Sequence, residues 1–188
     1  MREELREWNV VETKLIVDHR FLRVREDLLE HPNDGRRFHC YYLQSPSEAV
    51  ATVPLTKDGC VILVRQYRHP IGRVVYDLPA GRFEAGESPQ QAAARELEEE
   101  TGYRATKWQK LGYFNQFPGA MQIGTHIFLA QDLRPGVQKL DHYEDVEVVK
   151  LPFSKAVQLV TGGQVIDGSM MLGLLLVAQK GLAPVSSQ

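Results

Sequence analysis

The sequence predicts an α/β fold in which a mixed sheet is sandwiched by helices. The chain has 188 residues, of which 43% are hydrophobic and 24% charged, as expected for one globular domain. A core of that size needs no disulfide or metal for stability. Nine strand-like runs are interrupted by only three helical segments, without the strict alternation of strand and helix that marks an all-parallel sheet.

Runs rich in β-branched and aromatic residues predict the strands. They cover residues 14–17, 21–26, 36–43, 49–55, 60–66, 74–78, 111–114, 125–130 and 146–151. The HPNDG segment at 31–35 is typical of a turn between two of them. Residues 57–59 are predicted to join strands 49–55 and 60–66 as a hairpin loop.

The first helix has signals at both ends. Ser88 at the N-cap, Pro89 at the first helical position and Gln91 two residues later form a capping box, and Gly102 ends the helix. A second helix is predicted over 154–161, ended by two glycines. The third follows Asp167, and its apolar run at 170–178 is expected to pack against a sheet rather than to bind a ligand.

Charge and composition exclude several classes of protein. A formal charge of −2 argues against binding to polymeric nucleic acid, which usually needs a basic excess. The N-terminus resembles neither a signal nor a transit peptide, and the apolar run at 170–178 is too short to span a membrane. Cys40 and Cys60 lack metal-site spacing and are expected to be buried free thiols. Together these features indicate a cytoplasmic protein.

The charge is unevenly distributed. From Glu84 to Glu100 there are six glutamates and one arginine, a net charge of −5 that leaves the rest of the chain at +3. Glu96, Glu99 and Glu100 have the i, i+3, i+4 spacing that places them on one helical face, where like charges repel. One interpretation is a solvated face in which Arg95 pairs with Glu98 or Glu99. The other is a site for Mg²⁺ or Mn²⁺, which prefer carboxylate oxygens.

The segment before this helix favours the metal site. LPAGRFEAGES places two glycines and two further glutamates in a loop that leads directly into the helix. If that loop bends back, Glu84 and Glu87 come close to the helical carboxylates.

The same residues resemble the signature of the Nudix hydrolases. Gly81 is followed after five residues by Glu87, and after seven more by the run RELEEETGY from Arg95 to Tyr103. All nine fixed positions of this 23-residue signature are filled. The resemblance implies a Nudix-type α/β/α sandwich and a metal-dependent hydrolase that cleaves a diphosphate linked to another group.

Roles for individual residues follow from the resemblance. Glu96 and Glu100 would be the main Mg²⁺ ligands, with Glu99 assisting in metal binding and catalysis. The backbone carbonyl of Ala80 would be a further ligand. Glu84 and Glu87 would support the metal or its waters, and Arg95 would orient a glutamate. Two or three Mg²⁺ or Mn²⁺ ions would neutralise the diphosphate and activate a water for in-line attack.

Basic residues upstream are candidates for a phosphate clamp. VRQYRHPIG contains Arg65 and Arg68, and residues 65–82 hold four arginines against one aspartate. They are either surface charges or phosphate ligands, since the arginine fork matches phosphate oxygens. The RQYR-x-P element before LPAG resembles the ADP-ribose pyrophosphatase branch of the family, and Glu84 is also predicted to contact substrate there.

A proline beyond the signature is a second marker of that branch. Pro118 stands at the expected place, and with Gly119 it is predicted to contact the substrate. Members of the branch often have an acidic residue shortly afterwards, whereas this chain has Gln122 and Ile123. The general base would then be Glu144, which matches a catalytic glutamate on a mobile loop of the branch. His142 is the alternative, and a solvated loop charge is the third possibility.

The N-terminal strands exceed what the catalytic sandwich needs. Residues 1–45 are expected to form an antiparallel β extension, followed by the Nudix domain at 46–182 and a frayed tail at 183–188. In ADP-ribose pyrophosphatases such an extension exchanges with a second subunit, so a homodimer is implied. Trp8 and Phe38 would stack on adenine, or else pack in the core or interface.

The predicted function is therefore hydrolysis of ADP-ribose or a related nucleoside diphosphate sugar to a nucleoside monophosphate and a sugar phosphate. One alternative is a Nudix hydrolase for GDP-mannose, a dinucleoside polyphosphate or a damaged nucleotide. The other is a noncatalytic nucleotide sensor, against which the intact glutamates argue.

Overall fold

The computed structural model describes residues 6–183, so the tail predicted at 183–188 lies outside the described residues except for Ala183. The strands are β1 (Asn9–His19), β2 (Leu22–Glu30), β3 (Arg37–Gln44), β4 (Ala49–Pro54), β5 (Cys60–Arg68), β6 (Arg73–Asp77), β7 (Ala80–Arg82), β8 (Tyr103–Arg104), β9 (Lys107–Asn115), β10 (Met121–Gln122), β11 (Gly124–Gln131), β12 (Arg134–Pro135) and β13 (Val146–Pro152). The helices are α1 (Pro89–Thr101), α2 (Phe153–Thr161) and α3 (Gly168–Gln179), and a 3₁₀ turn spans His69–Ile71.

The first of two compact units contains the described residues up to Ser47 together with Asn115–Ile123. Its sheet has the order β1-β2-β3-β10. The first three strands are antiparallel and β10 runs parallel to β3. The turn predicted at 31–35 is present, with the Gly35 N–H donating to the His31 carbonyl at 3.0 Å. The N-terminal antiparallel β extension is thus confirmed.

The second unit contains Glu48–Phe114 and the described residues from Gly124 onward. One sheet has the order β7-β4-β11-β9, with β11 parallel and β7 antiparallel to β4. A second, antiparallel sheet has the order β13-β5-β6. Mixed strand directions and few helices confirm the predicted α/β class.

Helix α3 packs on the sheet as its apolar sequence predicts. The side chains of Met170, Leu174 and Val177 are fully buried. Asp167 caps the helix, because its Oδ1 accepts from the Met170 N–H at 2.6 Å. Each buried Leu-sized side chain stabilises the fold by about 1.5–3 kcal/mol, so this helix contributes strongly to the core.

The hairpin predicted at 57–59 is wrong in one respect. The turn is present, with the Gly59 N–H donating to the Thr56 carbonyl at 3.1 Å. The strands on either side of it meet only in the isolated bridge between Leu55 and Val61 and then enter different sheets. The reason is that β4 already has a partner on each edge, β7 and β11, and so has no edge left for β5.

The other differences concern strand lengths, short elements and the cysteines. Strands β1 and β9 span Asn9–His19 and Lys107–Asn115 and are longer than the predicted runs at 14–17 and 111–114. The strands β7, β8, β10 and β12, of two or three residues each, and the 3₁₀ turn were not predicted. Both cysteines are free, but they are half-buried rather than buried. Among the residues that the structure describes, no helix combines the length and the apolar character needed to span a membrane.

Candidate active site

Helix α1 sets the position of the acidic residues. Its N-terminus has the predicted capping box, in which the Gln91 N–H donates to Ser88 Oγ at 3.4 Å and the Ser88 N–H donates to Gln91 Oε1 at 2.9 Å. Gly102 ends the helix with a φ of 73°. The apolar side (Ala92, Ala93, Leu97) is fully buried. This orientation buries two of the acidic residues as well.

Glu96 and Glu100 lie against strand β7. The Ala80 N–H donates to Glu100 Oε2 at 2.9 Å. A Cβ atom added to Gly81 would lie 1.9 Å from Glu96 Oε1, so only glycine allows the strand to approach this carboxylate so closely. The two glutamates and β7 thus form one compact cluster.

Burial makes ionisation of these two carboxylates unfavourable. Glu96 is 9% exposed and Glu100 only 3%. Burial raises the pKa of Glu96 to about 7, against the opposing effect of Arg95 and with further contributions from Glu99 and Glu144. Burial likewise raises the pKa of Glu100 to about 8, opposed by the Ala80 N–H and reinforced by Glu96, Glu144 and Asp77. The positive charge near the cluster is therefore too small to offset the burial of both carboxylates.

Arg95 is hydrogen-bonded to three glutamates. Its guanidinium donates to both oxygens of Glu87 at 2.8 and 3.0 Å, to Glu96 Oε1 at 2.9 Å and to Glu99 Oε2 at 2.9 Å. It also donates to the Arg82 carbonyl at 2.8 Å, which ties the loop to the helix. The alternative pairing of Arg95 with Glu99 is thus present, but it belongs to a larger network and not to a solvated face.

The donor set fits a hard divalent cation. In residues 6–183, no three His, Cys, Asp or Glu side chains are arranged as a complete metal-binding group. Mg²⁺, however, usually takes one or two carboxylates and completes its octahedron with water and substrate phosphate. Glu96 and Glu100, two buried carboxylates that share a single arginine, supply that minimum, and a cation would offset their desolvation.

The loop before the helix is organised by the predicted glutamates. The Glu84 N–H donates to Glu87 Oε2 at 2.9 Å, and the Glu87 N–H to the Glu84 carbonyl at 3.2 Å. The hydrogen bonds from Arg95 are the main cause of the lowered pKa of Glu87. Glu84 itself is exposed.

Glu144 lies on an exposed loop between β12 and β13. Its N–H donates to the Asp141 carbonyl at 3.0 Å, and its Oε2 accepts from the Asp141 N–H at 3.0 Å. It contributes to the raised pKa values of Glu96 and Glu100, so it lies within electrostatic range of both. His142 on the same loop contacts the ring of Tyr143.

The two candidate phosphate ligands both have acidic partners. Arg65 Nη1 lies 2.9 Å from Glu147 Oε2 in an exposed ion pair. Arg68 forms an ion pair with Asp77, which is only 2% exposed. Asp77 has no signal in the sequence other than its position next to LPAG.

The remaining candidates lie in the first unit. Trp8 and Phe38 pack edge to face with a ring centroid separation of 5.2 Å. Pro118 and Gly119 line a pocket of about 270 Å³ together with Cys40, Tyr42, Asn115, Ala120, Met121 and Gln122. The proposed roles of these residues toward a substrate stay predictions.

Comparisons with known proteins identify the family of this chain. The model of the NUDIX domain family matches residues 45–166. The ADP-ribose pyrophosphatase of Bacillus subtilis (strain 168) is 42% identical over 121 residues, which cover 63% of this chain and 65% of that protein, just under two thirds of its length. The methanol dehydrogenase activator of Bacillus methanolicus is 30% identical over 173 residues, covering 91% of this chain and 92% of that protein.

A solved structure extends the likeness to the whole fold. The crystal structure of an ADP compounds hydrolase matches with a TM-score of 0.86 at 27% identity, covering 97% of this chain and 100% of that chain. This match spans the residues of the N-terminal sheet as well as those of the second unit.

Proposed function

Because the chain belongs to the NUDIX domain family, we propose that it hydrolyses the diphosphate of ADP-ribose or a related nucleoside diphosphate sugar. The products would be a nucleoside monophosphate and a sugar phosphate. The names of its relatives, an ADP-ribose pyrophosphatase and an ADP compounds hydrolase, support this substrate class. The observation that carries the proposal is the pair of buried carboxylates, Glu96 and Glu100, whose pKa values are raised by burial.

These carboxylates would hold Mg²⁺, or Mn²⁺ in its place, with two or three ions in the productive complex. A metal bound there would supply positive charge to neutralise the phosphates and would lower the pKa of a water. Glu99 and the Ala80 carbonyl are proposed as additional ligands. Arg95 keeps Glu96, Glu99 and Glu87 in fixed positions through the hydrogen bonds described above.

Glu144 is the proposed general base. Its exposure on a loop leaves the carboxylate accessible to a water and to the substrate. A base must come within hydrogen-bond distance of the proton that it removes, and the influence of Glu144 on Glu96 and Glu100 supports a position near the metal ligands. His142 is the alternative base on the same loop.

Several residues are proposed to contact the substrate. Arg65, Arg68 and Glu84 are proposed to bind the diphosphate and its sugar, and Arg68 would exchange Asp77 for phosphate oxygens. Trp8, Phe38, Pro118 and Gly119 are proposed to contact the base and sugar, as the resemblance to the ADP-ribose pyrophosphatase branch implies.

A homodimer is proposed from the exposed apolar residues of strand β1. Val10, Val11, Leu15, Ile16 and Val17 are 45–59% exposed, although such residues are usually buried. A second copy of the chain would cover them. Light scattering at micromolar concentration tests this point, and a mass of one chain, 21.3 kDa, would contradict it. The predicted cytoplasmic location stays a prediction.

The test of function is a substrate panel with Mg²⁺. ADP-ribose, GDP-mannose, a dinucleoside polyphosphate and ATP are incubated with the full chain, and the released nucleotides are separated. AMP and ribose 5-phosphate from ADP-ribose are expected, with turnover lost when EDTA is added. Activity confined to nucleoside triphosphates would exclude the proposed substrate class, and binding without turnover would favour the sensor.

A further inference from the structure

Gln138 joins the two ends of the loop that carries Glu144. Its side-chain amide donates one hydrogen bond to the Glu100 carbonyl at 2.6 Å and a second to the Val146 carbonyl at 3.1 Å. Glu100 belongs to the last turn of α1, and Val146 is the first residue of β13. One half-buried side chain therefore bridges the helix end, the start of the loop and its exit.

The neighbouring backbone strengthens this attachment. The Lys139 N–H donates to the Glu99 carbonyl at 2.8 Å. The last carbonyls of a helix have no partner within the helix, so the loop supplies donors to two of them.

Two glycines allow the loop to approach the helix end. A Cβ atom on Gly102 would lie 2.8 Å from the Gln138 N atom, and one on Gly136 would lie 2.7 Å from the Gly102 carbonyl oxygen. Gly102 also has a φ of 73°, which disfavours other residues. Larger residues at either position would separate the loop from the helix, so this contact depends on glycine at both positions.

The part of the loop that contacts the helix and the tip of the loop differ in burial. Gln138 is half-buried, whereas residues 141–145, including Glu144, are all exposed. Gln138 binds the last turn of α1, which contains Glu99 and Glu100. The two hydrogen bonds of Gln138 thus contribute to the position of the tip relative to the carboxylates.

We propose that Gln138 is a positioning residue, a clip that holds both ends of the loop 139–145 so that Glu144 stays near the carboxylates of α1. The proposal rests on the proposed function, because Glu144 acts as base only in that reaction. Misplacement of a reacting group by about 1 Å can cost about 100-fold in rate. Loss of the clip should therefore lower kcat while leaving substrate contacts elsewhere in place.

The test replaces Gln138 with Met, which has a similar length but no donor. The matched control is Thr56→Val, because the Thr56 hydroxyl also makes two side-chain to backbone hydrogen bonds, both with Cys60 at 3.0 Å, in a turn that belongs to no proposed site. We measure kcat and KM for ADP-ribose, and native-state hydrogen exchange at the Lys139 amide.

For Gln138→Met we expect kcat to fall at least about tenfold with KM within about twofold, and exchange at Lys139 to become faster. Thr56→Val should change none of these. A normal kcat, a normal exchange rate at Lys139, or an equal loss of kcat in Thr56→Val would each overturn the proposal. If the wild type hydrolyses no substrate of the panel, the proposed function fails together with the catalytic role of the clip, while the exchange rate still decides whether the clip exists.

Discussion

Two centres in the second unit contain buried carboxyl groups, and the negative charge of these groups is compensated to different extents. Asp77 is 2% exposed, and its pKa is raised by burial and by Asp167, but Arg68 opposes the shift. Its Oδ1 accepts from the Leu78 N–H at 3.0 Å, and Asp167 caps α3. Glu100 is buried to the same degree, yet the groups that act on it most strongly are one N–H and three other carboxylates.

The difference separates a structural use of buried charge from a binding site. A buried carboxylate with its own arginine and N–H donor has partners within the fold and needs no added cation. The cluster at Glu96 and Glu100 shares a single arginine that also bonds Glu87 and Glu99. That deficit of positive charge requires either protons or an added cation, and a divalent metal is the cation that carboxylate oxygens select.

The largest expected effect is the loss of catalysis in Glu100→Gln, which distinguishes the centre at Glu100 from the centre at Asp77. Glu100→Gln keeps the size of the side chain and an acceptor for the Ala80 N–H but removes the metal-binding charge. We expect kcat for ADP-ribose to fall by at least about 1,000-fold with the fold retained by circular dichroism. Full activity in this variant would remove the proposed metal mechanism.

Glu144→Gln is expected to have the next largest effect. Loss of a general base typically costs about 100- to 10,000-fold in rate, whereas the substrate affinity should stay almost unchanged. Steady-state kinetics together with substrate binding in Ca²⁺ measure the two quantities separately. An unchanged kcat would assign the base to another residue, with His142→Gln as the next variant to examine.

Stability without metal should depend on pH through Glu100. Its pKa is raised from 4.5 to about 8 in the folded protein, so the folded state binds a proton more tightly than the unfolded state. The contribution to the free energy of unfolding is present below pH 4.5 and is lost as the pH rises toward 8. At about 1.4 kcal/mol per pKa unit, the loss is of the order of several kcal/mol.

Glu100→Gln is the matched control for this pH dependence, since glutamine does not titrate. In EDTA, the variant should gain stability relative to the wild type between pH 5 and pH 8 in urea unfolding, and Mg²⁺ should reverse that gain at pH 8. Parallel pH profiles for the two proteins would show that Glu100 is not the group responsible.

Asp77→Asn should produce the smallest effect, confined to stability. The variant weakens the ion pair with Arg68 but keeps an acceptor for the Leu78 N–H. We expect the free energy of unfolding to change by no more than about 1–3 kcal/mol, because removal of a buried charge offsets the loss of the ion pair. The stabilisation by Mg²⁺ should be retained. Loss of the Mg²⁺ response would mean that the two carboxyl centres act as one site.

The sequence was sufficient where the signals are local. The cap residues of α1, its glycine stop and the spacing of its glutamates depend on neighbours within a few residues, and the helix follows them in full. The long strands and α3 follow for the same reason. In contrast, β7 and the other short strands exist through their pairing partners, which no local pattern specifies.

Contacts between distant residues account for what the sequence left open. Asp77 and Asp167 meet across 90 positions, and Gln138 reaches back to the end of α1. The depth to which Glu96 and Glu100 are buried also depends on the sheet against which α1 packs. The residue types for a metal site are thus evident from the sequence, whereas their charge balance is a property of the fold.

Calorimetric titration with Mg²⁺ at pH 8 tests most directly whether the buried carboxylates form the metal site. We expect the wild type and Asp77→Asn to bind with affinities within about threefold of each other, and Glu100→Gln to bind at least about tenfold more weakly. Equal affinity in the wild type and Glu100→Gln would contradict a metal site at this cluster.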